Sequence, residues 1–228
     1  MPLEYITKKA YFFKSEFFVD QRVLIPRSET EVLVEIACQE ISEVIKHTDE
    51  SVRIADIGVG SGAIALSILQ EIASPLFMTG LDLSLDALKV ARKNWFKLRY
   101  QIHPSSDFRL IQSDRLAELE AGEKFHVIVS NPPYIKKSED SAFVHSQVDS
   151  FEPHVALYLE DEEYDNWFGL LATQVSEHLL SEGVFFMEGH EDHWEDLEPI
   201  FRSAGFETQL INDLTGATRF LRAKKVVV

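Results

Sequence analysis

The sequence predicts an α/β protein: a mainly parallel sheet covered by helices on both faces and preceded by a short β-hairpin. Three observations carry this expectation. From Val52 onward, short apolar runs alternate with longer segments of helical periodicity, the pattern of linked β-α-β units. A glycine-rich turn, Gly58-Val59-Gly60-Ser61-Gly62, joins the first such run to the first such helix. The 228 residues, 45% of them hydrophobic, suffice for one domain with a full core and leave no room for two large ones.

Each element follows from local pattern. Ala10 to Pro26, AYFFKSEFFVDQRVLIP, carries two aromatic runs around Lys14 and Ser15, which predicts a hairpin leading to a further short strand. Residues 1–27 are expected to form this hairpin and its connecting segment, and residues 28–228 the main domain. Ser28 to Lys46 reads as a helix: Ser28 or Thr30 can cap it, acids fill its first turn, and Val32, Leu33, Ile36, Ala37, Ile41, Val44 and Ile45 recur at near-helical spacing. Val52 to Ile57 is a strand, Ala63 to Ile72 a helix, Phe77 to Leu83 a strand and Asp86 to Tyr100 an amphipathic helix. Strands at Phe108 to Gln112 and Phe125 to Ser130 follow. A helix at Trp167 to Leu180 precedes the strand Val184 to Met187, and the last helix runs from about Trp194 to Ala204. Thr208 to Ile211 and Phe220 to Val227 close the chain as strands.

Charge is the extreme feature. With 22 Lys and Arg against 38 Asp and Glu the formal net charge is −16, so the chain as a whole repels polyanions and tight nucleic-acid binding is not expected. Two acidic clusters, Glu160 to Asp165 and Glu188 to Glu198, read as solvated faces. No stretch approaches the ~18 uninterrupted apolar residues of a membrane span, and Met1 to Phe13 lacks the layout of a secretory signal. The single Cys38 sits among apolar neighbours in a helical pattern and reads as a buried thiol, which fits a reducing, cytoplasmic setting.

The turn from Asp56 to Gly62 carries the first chemistry. Glycines let the backbone bend sharply and approach a ligand closely. Asp82 ends the next strand, 24 residues after Gly58, where a carboxylate can accept both hydrogens of a ribose diol. Together they indicate an adenosine-containing cofactor at the C-terminal edge of the sheet. A dinucleotide fingerprint places two residues before its third glycine, whereas one stands here, and a phosphate-binding Gly-Lys-Ser or Gly-Lys-Thr is absent. Asp56, opening the loop, would repel a pyrophosphate but can orient hydrogen-bond donors on the amino-acid end of a cation. S-adenosylmethionine, with sulfonium and ammonium groups, fits.

The second site is Asn131-Pro132-Pro133-Tyr134, directly after the run Phe125 to Ser130. Two prolines stiffen the loop and bring no N–H groups, so the Asn131 side chain and the carbonyls of Asn131 and Pro132 form a slot of acceptors. An amide or aromatic amine is a poor nucleophile because its lone pair is delocalised. Acceptors that hold both its hydrogens aim the lone pair at a methyl donor, and Tyr134 can stack on its flat π system.

In order along the chain stand Pro26-Arg27-Ser28-Glu29-Thr30-Glu31, the loop Asp56 to Gly62, Asp82-Leu83-Ser84, Asn131 to Ile135, and Glu152-Pro153 followed by Ala156-Leu157. This set resembles the catalytic domain of the bacterial release factor glutamine methyltransferases over nearly the whole chain. The resemblance implies a Rossmann-like class I S-adenosylmethionine-dependent methyltransferase with a seven-stranded sheet, residues 28–228 being its catalytic domain. It implies methyl transfer to the side-chain nitrogen of the glutamine in the Gly-Gly-Gln loop of class 1 peptide chain release factors. Carried over by position, Gly58, Val59, Gly60, Ser61 and Gly62 hold the methionine part with Asp56, and Asp82 holds the ribose. Asp114 and Arg115 lie at the adenine, and Asn131, Pro132, Pro133 and Tyr134 bind the target glutamine, Asn131 also touching the cofactor. No general base or metal is implied, since positioning carries the reaction.

Asn-Pro-Pro-Tyr also occurs in enzymes that methylate exocyclic amines of DNA or RNA, which is the alternative reading; the upstream Pro-Arg segment and the charge favour a protein substrate. Ser28 replaces the family's second proline, Arg115 stands where an aromatic or apolar residue is usual, and Met187-Glu188-Gly189-His190 shifts the acid of a Glu-Ile-Gly pattern. Tyr158 to Asn166 is longer and more acidic than in the family. The family normally begins with a helical domain, and Pro2 to Ile6 resembles the text just after it, as expected of a catalytic-domain segment or a shortened relative. His190-Glu191-Asp192-His193 lacks metal-site spacing and reads as a solvated helix start. Trp95, Trp167 and Trp194 read as core anchors.

Overall fold

Residues 1–226 are described by the computed structural model. A short helix, α1 (Leu3–Thr7), opens the chain, and the expected hairpin follows as β1 (Ala10–Phe12) paired antiparallel with β2 (Ser15–Phe17). Phe12 and Phe17 are buried and meet edge to face at 6.2 Å, while Tyr11 between them is exposed. The further short strand expected before Pro26 does not form. Residues 18–27 are irregular, because the side chain of Asn94 takes the place of a strand partner: it accepts from the Phe18 N–H at 2.7 Å and donates to the Phe18 carbonyl at 2.9 Å. Val19, Val23 and Ile25 pack on Ala87 and Val90.

The remaining elements are α2 (Glu31–His47), β3 (Val52–Ile57), α3 (Ala63–Glu71), β4 (Leu76–Asp82), α4 (Leu85–Leu98), β5 (Asp107–Gln112), β6 (Phe125–Ser130), β7 (Ile135–Lys136), α5 (Ser146–Phe151), β8 (Tyr158–Leu159), α6 (Tyr164–His178), β9 (Leu179–Glu188), α7 (Trp194–Ser203), β10 (Phe206–Asn212) and β11 (Thr218–Lys225). Val227, expected to end the last strand, lies outside the described residues. The helix expected at Asp86 to Tyr100 gives way after Leu98 to a 3-10 turn, Arg99–Gln101. Helix α6 starts three residues before Trp167 because Tyr164, fully buried, anchors its first turn.

Seven strands form one sheet in the order β10-β11-β9-β6-β3-β4-β5, and β11 alone runs against the others. Alternate residues feed the two faces. Val52 and Ile54 of β3 join Leu33, Leu66 and Leu88 from α2, α3 and α4, whereas Ala55 and Ile57 join Phe168, Leu171 and Phe201 from α6 and α7. A sheet buried on both faces explains why its central strands read as largely apolar runs. Each fully buried Leu, Ile or Phe contributes ~1.5–3 kcal/mol of transfer free energy. Cys38 is buried in the first of these layers, and burial pushes its thiol up to about 12. Among the described residues, no helix is long and apolar enough to cross a membrane.

The strand order reverses between β3 and β6. Their C-terminal ends lead the chain in different directions, which opens a crevice above the sheet.

Candidate active site

After Ile57 the chain must turn at once to begin α3. Gly58 and Gly60 do so at φ +74° and +52°, backbone that a side chain disfavours. The loop is fastened to β4: Gly58 and Val59 N–H both donate to the Leu81 carbonyl at 2.8 and 2.9 Å, and Gly60 N–H donates to Asp82 Oδ2 at 2.9 Å. The other Asp82 oxygen accepts from Ser84 N–H at 2.9 Å, and Ser84 caps α4 by accepting from Ala87 N–H. Asp82 therefore shapes the loop as well as facing the crevice.

A cavity of about 290 Å³ lies there, close to the size of small-molecule sites. Gly58, Val59, Gly60, Ser61, Asp82, Asp114, Arg115, Asn131, Pro132 and Pro133 all line it, so most of the expected site comes together. Its roof is made by Val23, Leu24, Pro26 and Arg27 on one side and Pro153, Val155 and Ala156 on the other. Buried Glu152 latches these two segments: one oxygen accepts from Ile25 N–H at 3.0 Å and the other pairs with Arg27 at 2.6 Å. Sequence reading saw both segments but not that one carboxylate joins them.

Asn131 directly follows β6, which pairs with β9. Its Nδ2 donates to Glu188 Oε2 at 3.1 Å and to Thr30 Oγ1 at 3.2 Å, and Thr30 in turn donates to Glu188 Oε2 at 2.7 Å. Tyr134 donates its hydroxyl to Glu188 Oε1 at 3.1 Å. Thr30, expected as a helix cap, makes no capping bond because its hydroxyl is committed to this network. Burial raises the pKa of Glu188, while the hydroxyls of Thr30 and Tyr134 hold it down.

The family model described as Methyltransferase small domain matches residues 32–151. A release factor glutamine methyltransferase of Koribacter versatilis is 35% identical over 226 residues, covering 98% of this chain and 75% of the relative. One from Chlorobaculum tepidum is 33% identical, covering 96% and 73%. The chain belongs to the release factor glutamine methyltransferase family. Its fold is that of the Rossmann-like methyltransferases: a ribosomal protein L11 methylase from Lactobacillus delbrueckii subsp. bulgaricus superposes with a TM-score of 0.60 at 17% identity, over 92% of this chain and 84% of that one. The motif segments of this chain thus meet in space: Arg27 with Glu152, and Thr30 with Asn131 and Tyr134 through Glu188.

Several expected residues stand elsewhere in this family member. Tyr134 does not line the cavity. Its ring packs edge-on against His190 at 6.5 Å and its hydroxyl is given to Glu188. Gly62 also lies off the wall, turning at φ +82° behind the loop. Asp56 is wholly buried beneath the loop, where Oδ2 accepts from Ala65 N–H at 3.1 Å and Oδ1 has no partner. Trp167 does line the cavity, under the Arg115 guanidinium at 5.0 Å, rather than serving only as a core anchor. Arg115 takes φ +54° and pairs with Asp114 at 2.8 Å. Glu188 breaks the expectation of a solvated acidic cluster; it is 1% exposed because it ends the apolar run of β9 next to Asn131. His193 is buried against Asp140 at 2.8 Å instead of opening a solvated helix. No group of three His, Cys, Asp or Glu suited to a metal occurs among the described residues.

Burial pushes the Asp56 carboxyl up from 3.8 to about 8, and the neighbouring Asp82 carboxylate adds to the rise. The folded chain then holds a proton that the unfolded chain releases near pH 4, so stability falls as pH rises from about 4 to about 8. The urea midpoint is expected to drop across that window, and Asp56→Asn to flatten the drop. Equal slopes in the two proteins would assign it to another group.

Proposed function

We propose that this protein transfers a methyl group from S-adenosylmethionine to the side-chain amide nitrogen, N5, of the glutamine in the Gly-Gly-Gln motif of class 1 peptide chain release factors. The observation that carries this is Asn131 at the cavity wall with its amide nitrogen committed to Glu188 and Thr30, which leaves Oδ1 free to accept from a substrate. An acceptor there holds an amide hydrogen of the substrate and orients the nitrogen toward the methyl carbon, so positioning supplies the rate. Family membership adds the substrate class, since relatives at 33–35% identity are named for it.

The residues present suit the cofactor. Asp56, wholly buried beneath the loop with Oδ1 unpartnered, and Asp82, half-buried at the cavity wall, both have pKa values raised by burial. A sulfonium and an ammonium group answer that uncompensated acidity, whereas a pyrophosphate would aggravate it. Each Asp82 oxygen accepts one backbone N–H and keeps a lone pair for a ribose hydroxyl. The 58–62 loop, with its close backbone, would take the methionine part, and Asp114 and Arg115 the adenine. Bound S-adenosylmethionine supplies the electrophilic methyl group; the chain supplies alignment. Residues 1–27 serve as the hairpin and connecting segment that roof this site, and residues 28–228 as the catalytic domain. The protein acts in the cytoplasm, where release factors work. Transfer to DNA or RNA is not favoured, because the relatives are named for a protein substrate and the charge is −16.

The test is methyl transfer from labelled S-adenosylmethionine to a class 1 release factor, the same factor with its Gly-Gly-Gln glutamine replaced, duplex DNA and RNA. Label on the intact factor alone is expected. Label on nucleic acid, or on the substituted factor, overturns the substrate assignment.

A further inference from the structure

We infer that Glu188, with Thr30, is the positioning residue that fixes which way the Asn131 amide faces, and so selects a substrate group that carries N–H hydrogens. This rests on Asn131 being the substrate acceptor. The two ends of an amide are nearly the same size, so packing alone cannot choose between Oδ1 and Nδ2 toward the cavity; only the chemistry behind Asn131 can.

That chemistry is one-sided. Glu188 Oε2 lies 3.1 Å from Nδ2, and Thr30 Oγ1 lies 3.2 Å from it. Thr30 has a single hydroxyl hydrogen, and it is given to Glu188 at 2.7 Å, so its lone pairs face Asn131. Both neighbours therefore accept. Turning the amide over would set Oδ1 against a carboxylate oxygen and a hydroxyl lone pair, at a Glu188 that is 1% exposed and unscreened by water. The nitrogen stays inward and the cavity receives an oxygen. The second Glu188 oxygen holds the Tyr134 hydroxyl at 3.1 Å, so one carboxylate ties both ends of the two-proline turn.

An outward acceptor favours a primary amide, which brings two hydrogens, over a carboxylate, which brings none at neutral pH. Discrimination between glutamine and glutamate in the target thereby traces to the residues behind Asn131, Glu188 off the cavity wall and Thr30 at its edge. Thr30, Asn131 and Glu188 come from the starts and ends of α2, β6 and β9, which explains why a segment 101 residues upstream of Asn131 belongs to its site.

Glu188→Gln replaces an acceptor-only group with one that also donates, and so releases the amide. Its kcat on the release factor is expected to fall about 10- to 100-fold, with the Kd for S-adenosylmethionine within twofold of wild type. Thr30→Val is expected to fall in the same direction and Thr30→Ser, which keeps the hydroxyl, to recover. Independently of any substrate, NMR of the Asn131 side-chain amide is expected to show two separate, slowly exchanging hydrogens in the wild type and rapid exchange in Glu188→Gln and Thr30→Val. Unchanged Asn131 signals in a folded variant overturn the inference, as does a wild-type kcat in Glu188→Gln. If the wild type itself methylates no release factor, the proposed function fails and the NMR comparison still decides the orientation.

Discussion

An Asn131→Ala enzyme is expected to bind S-adenosylmethionine within a few-fold of wild type and to lose methyl transfer to a release factor by about 10²–10³-fold. Removal of one preorganised hydrogen-bonding group that acts on the reacting atoms costs about that much in kcat. The proposed cofactor contacts lie mainly on the glycine loop and on Asp82, to which the Asn131 side chain makes no hydrogen bond: it bonds to Thr30 and Glu188. The variant also strips a donor from buried Glu188, and a buried group left short of a partner costs ~1–3 kcal/mol of stability. A lowered melting temperature alone is therefore not diagnostic. The diagnostic measurements are single-turnover transfer at saturating cofactor and the cofactor Kd by calorimetry. Wild-type transfer in this variant would remove the acceptor slot from the mechanism. A large loss of cofactor affinity would move Asn131 into the cofactor site instead.

Much of the architecture is legible in the sequence, for a physical reason. β3 and β6 have the boundaries expected of Val52 to Ile57 and Phe125 to Ser130, because a parallel strand covered on both faces is mostly apolar, and glycine or the two prolines mark where each one ends. Helices α2, α3, α4, α6 and α7 follow from spacing, with ends displaced where tertiary contacts decide them, as Tyr164 does for α6. The irregular course of residues 18–27 was not legible, since it depends on Asn94, 76 residues away from Phe18, behaving as a strand partner. The glycine loop and Asp82 were legible as a local motif at fixed spacing. Glu188 was not: in the sequence it is one acid among many, and only the pairing of β6 with β9 sets it behind Asn131. Thr30 misled for a related reason, because a threonine before a helix has a local use that a buried carboxylate can outbid. That Asp56 and Tyr134 lie off the cavity wall was not legible, because it depends on which way each side chain turns and spacing does not determine that.

Asp82→Ala is expected to weaken S-adenosylmethionine binding about 100-fold or more while leaving the ligand-free protein close to wild type in stability. Hydrogen bonds to a charged group contribute ~1.5–3 kcal/mol each, and loss of two to a ribose diol corresponds to at least a hundredfold at ~1.4 kcal/mol per decade. Release of Gly60 and Ser84 N–H from Asp82 adds to the loss by loosening the loop that the cofactor must meet. Stability is expected to respond differently, because burial raises the pKa of Asp82 and its carboxylate pushes that of Asp56 up further. Removing it relieves an unfavourable pair, which offsets the two lost backbone bonds. The two effects separate in one thermal melt. Wild-type protein at 100 times its Kd gains ~2.7 kcal/mol from ligand, seen as a rise in melting temperature, and Asp82→Ala at the same concentration gains little from a similar starting point. A variant that melts far below wild type without ligand yet keeps the full ligand-induced rise would show Asp82 to be a fastener of the glycine loop and not a cofactor contact.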